Sequence, residues 1–266
     1  MAELKVAKQK CIYCKHDLPL GKSLCVNPSC RQFNFPNANP SGSALVSLGE
    51  IARRGVQTVP RYKMMSEGMD RFFGGGLAHT SCNLIGGRPG AGKTTLLLKL
   101  AAYIAKLTGK PAVYVANEQS PEEITETALR LQIENLDSIL LLNAMGGLQS
   151  NLFWTLKEAK PCLTIVDSLT KLVGKDLALA VQVAYDMKDL SVELKAPSFL
   201  INQVTKELDH AGFESLQHAV DMTSLFHFDL DDPKRILVSE KNRFGEAPLM
   251  MQFEMTKNGL VEVEDE

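Results

Sequence analysis

The chain has no apolar run approaching the ~20 residues needed to cross a bilayer. Its opening segment, Met1 to Lys10, is polar and lacks the apolar centre of a secretory signal. Net charge is almost absent, at −2, so the molecule as a whole does not attract phosphate, and nucleic-acid binding would have to rest on a local basic patch. Internal repeats are missing, and the one biased tract is the acidic end. Cysteine is sparse outside a single place: of six, Cys11, Cys14, Cys25 and Cys30 all fall in the first thirty residues. These absences argue against a membrane association and lead to the expectation of a cytoplasmic protein with reduced thiols. There, a cysteine cluster reads as metal ligation before it reads as disulfides.

What is present fits one large α/β domain with a small appendage. The 266 residues are 45% hydrophobic and 23% charged. Composition divides the chain into a cysteine module over 1–33, a linker over 34–60 and a domain over 61–266. The linker opens with the breaker-rich stretch Asn34 to Ser43, and Leu45, Val46, Leu48 and Ile51 then form an apolar helical stripe. The domain alternates strand and helix signals. Strands are predicted at Cys82–Ile85, Pro111–Ala116, Cys162–Asp167 and Pro197–Asn202, with final, antiparallel strands near Ile236–Ser239 and Met250–Met255. Helices are predicted over Lys93–Lys106, after the N-cap Ser120 and Pro121, and over Ala178–Leu194. This pattern implies a mainly parallel central sheet with helices on both faces.

The segment Gly87, Arg88, Pro89, Gly90, Ala91, Gly92, Lys93, Thr94 matches the nucleotide phosphate loop, between a strand and a helix. Glycines let backbone N–H groups curl around phosphates, and the helix N-terminus adds its positive end. Lys93 can reach the β- and γ-phosphates, Thr94 can ligate Mg²⁺, and Thr95 follows in the first helical turn. Asp167 ends an apolar strand at the edge where ligands of such sheets bind, as a magnesium-holding acid would. Glu118, just past the strand ending at Ala116, can polarise an attacking water or be a solvated loop acid.

The cysteine spacing, Cys11-x2-Cys14 and Cys25-x4-Cys30, supplies four thiolates for a tetrahedral Zn²⁺ site. Such a polar segment has little apolar surface with which to fold alone. His16 is a substitute ligand, and iron–sulfur or uncoordinated thiols are the other readings. Cys82 and Cys162 lie in apolar strands and read as core.

Together these motifs resemble the RadA/Sms family of bacterial DNA recombination and repair ATPases, within the RecA-like superfamily. The resemblance rests on Ser66–Leu77, the phosphate loop, Tyr114-Val-Ala-Asn-Glu-Gln-Ser120, Ile165-Val-Asp-Ser168, Val204-Thr-Lys-Glu207 and, above all, the pentapeptide Lys241-Asn-Arg-Phe-Gly245. It implies a RecA-like ATPase core behind a zinc module, with ATP, Mg²⁺ and Zn²⁺ as cofactors. Glu118 becomes the catalytic glutamate, and Lys241 and Arg243 fingers acting on a neighbouring subunit's nucleotide; Gln203 departs from the family and looks more like the RecA glutamine that reads the γ-phosphate. The implied function is a DNA-stimulated motor on single-stranded DNA, serving recombination, branch migration or repair as a homo-oligomer, a hexameric ring, with a recombinase or replication partner. DNA would meet loops carrying Lys171, Lys175, Lys206 and His210. The second cysteine pair is more widely spaced than is usual in the family, and a short member lacking the C-terminal Lon protease-like domain is expected. The alternatives are a nucleotide-switched regulator of the circadian clock ATPase type and a replicative-type helicase.

Overall fold

A computed structural model describes residues 9–11, 14–18, 27, 29–30, 47–56, 58–149, 151–203, 210–229 and 231–263. The chain divides into two units, 1–57 and 58–266. In the first, β1 (Gln9–Lys10) and β2 (Asp17–Leu18) pair antiparallel and carry a turn with Cys11 and Cys14. Helix α1 (Leu48–Arg54) is capped by Ser47, whose Oγ accepts from the Glu50 amide at 3.1 Å. Cys25, residues 31–33 of the cysteine module, 34–46 of the linker and Lys206 lie outside the described residues.

The second unit opens with a ribbon of β3 (Arg61–Tyr62) and β4 (Leu77–Ala78), which embraces α2 (Glu67–Phe72). The core then alternates: β5 (Cys82–Gly87), α3 (Lys93–Thr108), β6 (Ala112–Ala116), α4 (Pro121–Arg130), β7 (Ile139–Asn143) and α5 (Leu152–Ala159). There follow β8 (Leu163–Asp167), α6 (Leu169–Val173), α7 (Leu177–Leu194), β9 (Ser198–Gln203), α8 (His210–Ala219) and β10 (Met222–His227). A meander of β11 (Lys234–Asn242), β12 (Leu249–Thr256) and β13 (Gly259–Val263) ends the described chain. Among the described residues the main sheet runs β13-β12-β11-β10-β5-β9-β8-β6-β7. Strands β10 through β7 in that order are parallel, and the meander is antiparallel.

Successive strand residues point to opposite faces, so an unbroken apolar run such as Ala112–Ala116 feeds two cores. Ile85, Tyr114, Ile165 and Ile201 pack with Leu97, Leu100 and Ile104 of α3 on one face. Val113, Val115, Val166 and Leu200 pack with Val183, Met187 and Leu190 of α7 on the other. Each fully buried aliphatic side chain contributes about 1.5–3 kcal/mol. Helix α4 begins in a full capping box: Glu123 N donates to Ser120 Oγ at 3.2 Å, and Ser120 N donates to Glu123 Oε2 at 2.8 Å. Among the described residues no helix is long and apolar enough to cross a membrane.

Candidate nucleotide site and metal knuckle

Strand register brings the phosphate loop, Asp167, Glu118 and Gln203 to one edge of the sheet. Gly87 of β5 pairs with Gln203 of β9, Asp167 of β8 pairs with Ile201, and Ala116 of β6 pairs with Asp167. The carboxyl ends of four strands therefore meet above one cleft of about 360 Å³. It is lined by Pro89 to Thr95, Glu118, Gln119, Asp167, Ile201 and Gln203, with Thr127, Arg130 and Met255 completing the wall.

The loop conformation depends on its glycines. Gly90 and Gly92 have φ of +81° and +101°, the left-handed region where a side chain is strained. Gly92 is the N-cap of α3 and offers no side chain to its first turn, so the first amide groups stay available to an anion. Lys93 is buried and donates from Nζ to the carbonyls of Gly87 at 2.7 Å and Arg88 at 3.0 Å. Burial lowers its pKa, partly offset by the charges of Asp167 and Glu118.

Asp167 is buried, and its Oδ2 accepts two hydroxyl donors, Thr94 Oγ1 at 2.9 Å and the phenol of Tyr114. Burial, then the Asp167 charge, pushes the Tyr114 pKa well up. Gln203 Nε2 donates to Glu118 Oε1, so sensor and acid candidates are already in contact. Asn117 ties the ends of β6 and β8 together: its Nδ2 donates to Ser168 O at 3.0 Å, and its Oδ1 accepts from Ser168 N at 2.7 Å.

Lys241 and Arg243 are elsewhere. Lys241 pairs with Thr223 on β10, which is opposite Leu84 of β5. That level is three residues, about 10 Å of strand rise, below Gly87. Lys241 Nζ donates to the carbonyls of Gln217 and, at 2.7 Å, Val220. Burial lowers its pKa, helped by the neighbouring cations Arg243 and Lys188 and opposed by Asp221. Arg243 is half-exposed and pairs with Asp221 at 3.3 Å. The pentapeptide turn is pinned by Arg61, whose Nη2 donates to Phe244 O at 3.1 Å, and by Asn242 Nδ2 donating to Phe72 O at 3.2 Å. A Cβ on Gly74 would sit 2.5 Å from Phe244 O, so the glycine turn and the pentapeptide meet backbone to backbone.

In the first unit the sulfurs of Cys11, Cys14 and Cys30 lie within 4.8 Å of one another, with Cys11 and Cys30 at 3.8 Å. Tetrahedral thiolates at ~2.3 Å from zinc sit roughly 3.8 Å apart, so the three fit such an ion. Lys15 turns the chain at φ +61°, letting Cys11 N donate to His16 O at 2.8 Å. Asn27 Nδ2 points at Cys14 Sγ at 3.6 Å. His16 is not among the converging ligand atoms.

The family model described as ATPase: KaiC matches residues 62–140. Proteins called DNA repair protein RadA match over most of the chain. The one from Campylobacter jejuni is 35% identical over 212 residues, covering 77% of this chain and 47% of that protein. The one from Bacillus subtilis is 30% identical over 285 residues, covering 99% of this chain and 60% of that protein. The chain belongs to the RadA family. It spans about half the length of the curated relatives it matches.

Among the described residues, the two segments that carry the RadA resemblance outside the cleft, Ser66–Leu77 and the pentapeptide, pack together; residues 204–207 lie outside the described residues. Of the DNA-contact candidates, Lys171 lies on α6 and Lys175 in the loop beyond it, both exposed. Lys206, and the side chain of His210, lie outside the described residues. Sequence reasoning gave no role to Tyr114, Asn117, Thr127 or Arg130. The i, i+3 spacing of Thr127 and Arg130, on a helix beginning just past Glu118, is the signal that could have found that pair.

Proposed function

We propose that the chain is a magnesium-dependent ATPase that moves on single-stranded DNA in recombination, branch migration or repair, as a homo-oligomer with ATP sites between subunits. The observation that carries this reading is the division of the parts. A phosphate loop, an acid pair and a glutamine share one sheet edge, while the cations of the pentapeptide sit at the other. In this reading residues 1–33 are a zinc module, 34–60 a linker and 61–266 the ATPase domain.

Lys93 leaves the carbonyls of Gly87 and Arg88 for the β- and γ-phosphates, while the loop amides hold the phosphate chain. Thr94 and, through water, Asp167 would hold magnesium, which would supply positive charge beside the phosphate oxygens. Glu118 orients and polarises the attacking water, and Gln203 exchanges its contact with Glu118 for the γ-phosphate. Separation from their own phosphate loop supports Lys241 and Arg243 reaching a neighbour's nucleotide, where cations stabilise developing charge. Cys11, Cys14 and Cys30 would hold zinc together with Cys25. Lys171, Lys175 and Lys206 meet DNA phosphates, each subunit adding a few contacts. The cytoplasm, with its reduced thiols, is the compartment this chemistry suits.

The ATPase rate of wild type and Lys93→Ala, with and without single-stranded DNA, tests the motor. DNA-stimulated turnover that Lys93→Ala abolishes is expected; absence of both stimulation and DNA binding at low salt refutes it. Mixing Arg243→Ala with Glu118→Gln subunits is expected to restore hydrolysis above either alone. Less than about half a zinc per chain overturns the metal assignment. The match to the family model named for KaiC favours a second reading, a nucleotide-switched binding module. ATP-dependent assembly with turnover indifferent to DNA is its expected behaviour.

A further inference from the structure

We propose that Tyr114 is a positioning residue that fixes the carboxylate of Asp167 for the magnesium water shell; this rests on the reading of Asp167 as the magnesium-side acid. Tyr114 is fully buried on β6, two residues before Ala116, which pairs with Asp167. Its ring lies on the α3 face of the sheet and its hydroxyl donates to Asp167 Oδ2. A buried tyrosine hydroxyl ordinarily finds some partner, often a carbonyl. Here the partner is the acid itself. Thr94 donates to the same oxygen at 2.9 Å, and no donor among the described residues bonds Oδ1. Two donors on Oδ2 set the carboxylate plane and leave Oδ1 to accept from the cleft, which Asp167 lines. The two donors are not equivalent. Thr94 can share its hydroxyl, giving its proton to Asp167 and a lone pair to the ion. Tyr114 serves the acid alone.

The test is a Mn²⁺ titration of the ADP-saturated protein, followed by the electron paramagnetic resonance of the free ion, which needs no turnover. Tyr114→Phe is expected to weaken Mn²⁺ binding about tenfold, the lower end for losing a partner of a metal-holding group. Its ADP affinity without metal should stay within about twofold of wild type, since no phosphate contact changes. In Tyr114→Phe/Asp167→Asn the weakening should equal that of Asp167→Asn alone. Unchanged Mn²⁺ affinity in Tyr114→Phe, or equal losses with and without metal, overturns the proposal while Asp167→Asn still weakens Mn²⁺. If Asp167→Asn leaves Mn²⁺ affinity unchanged, the reading of Asp167 fails, and the proposal with it. 4-Aminophenylalanine in place of Tyr114 keeps a donor and the volume, and should restore wild-type affinity. Should the Phe variant not fold, a weakening of about fivefold or more with this residue overturns the assignment.

Discussion

Replacing Asp221 removes the carboxylate that holds the amino edge of the parallel sheet. Its Oδ1 takes Lys188 Nζ at 2.6 Å and Arg243 Nη1 at 3.3 Å, and its Oδ2 takes the Cys82 amide at 3.1 Å. The side chain is only 7% exposed, against 22% for Lys188 and 50% for Arg243. The half-exposed Arg243 pair is worth about 0.5 kcal/mol. The Lys188 bond is charge-assisted and mostly buried, about 1.5–3 kcal/mol, and a stranded Cys82 amide costs about 1–3 kcal/mol. Asp221→Ala should therefore lose about 3–6.5 kcal/mol. Asp221→Asn keeps an acceptor for the Cys82 amide and forfeits only the charge, about 1–3 kcal/mol. Urea unfolding by circular dichroism measures both. At about 2–4 °C per kcal/mol the Ala variant should also melt about 10 °C lower. An Ala variant within about 1 kcal/mol of wild type, or an Asn variant as unstable as Ala, refutes the assignment of energy to these three bonds.

Glu118→Gln should bind ATP normally and hydrolyse it about 10²–10⁴-fold more slowly, read by nucleotide binding beside steady-state turnover. Gly92→Ala places a Cβ 2.9 Å from Leu260 Cδ1 at φ +101°, and should cost about 1–2 kcal/mol in urea melts. Burial pushes the Cys82 thiol up to about 12, and the Cys162 thiol is also raised. At pH 8 only about one Cys82 in 10⁴ is thiolate, so mass-spectrometric mapping after brief thiol labelling should find both unmodified in the native protein. Chelator treatment should expose Cys11, Cys14 and Cys30 to the same reagent with release of zinc; unchanged labelling would count against a bound ion.

The α/β class and the mainly parallel sheet are legible in the sequence because the buried strands are short apolar runs bounded by breakers. The runs ending at Ala116 and Asp167 are where such patterns place them. The Ser120 cap is legible too, since its partner Glu123 is three residues away. Strands β7, β10 and β13 are not. Ile139-Leu-Leu-Leu favours helix locally, and only pairing with β6 makes it a strand. Thr223 and Ser224 give β10 a polar centre that reads as loop, yet both are buried between β5 and β11. In the cleft, Gly87 to Thr94, Asp167, Glu118 and Gln203 are legible from loop spacing, strand ends and family likeness. Tyr114 gains its partner 53 residues away through register, and no local pattern carries that.

The split between the two sheet edges gives the chain a front and a back. A contact between like edges, front to front or back to back, does not bring Lys241 near a phosphate loop. Under the trans reading the completed site joins unlike edges, and an open head-to-tail array leaves one front and one back unused at its ends. The array must then close on itself or keep growing. An isolated chain would hold ATP without its second set of cations, so turnover per chain should rise with protein concentration.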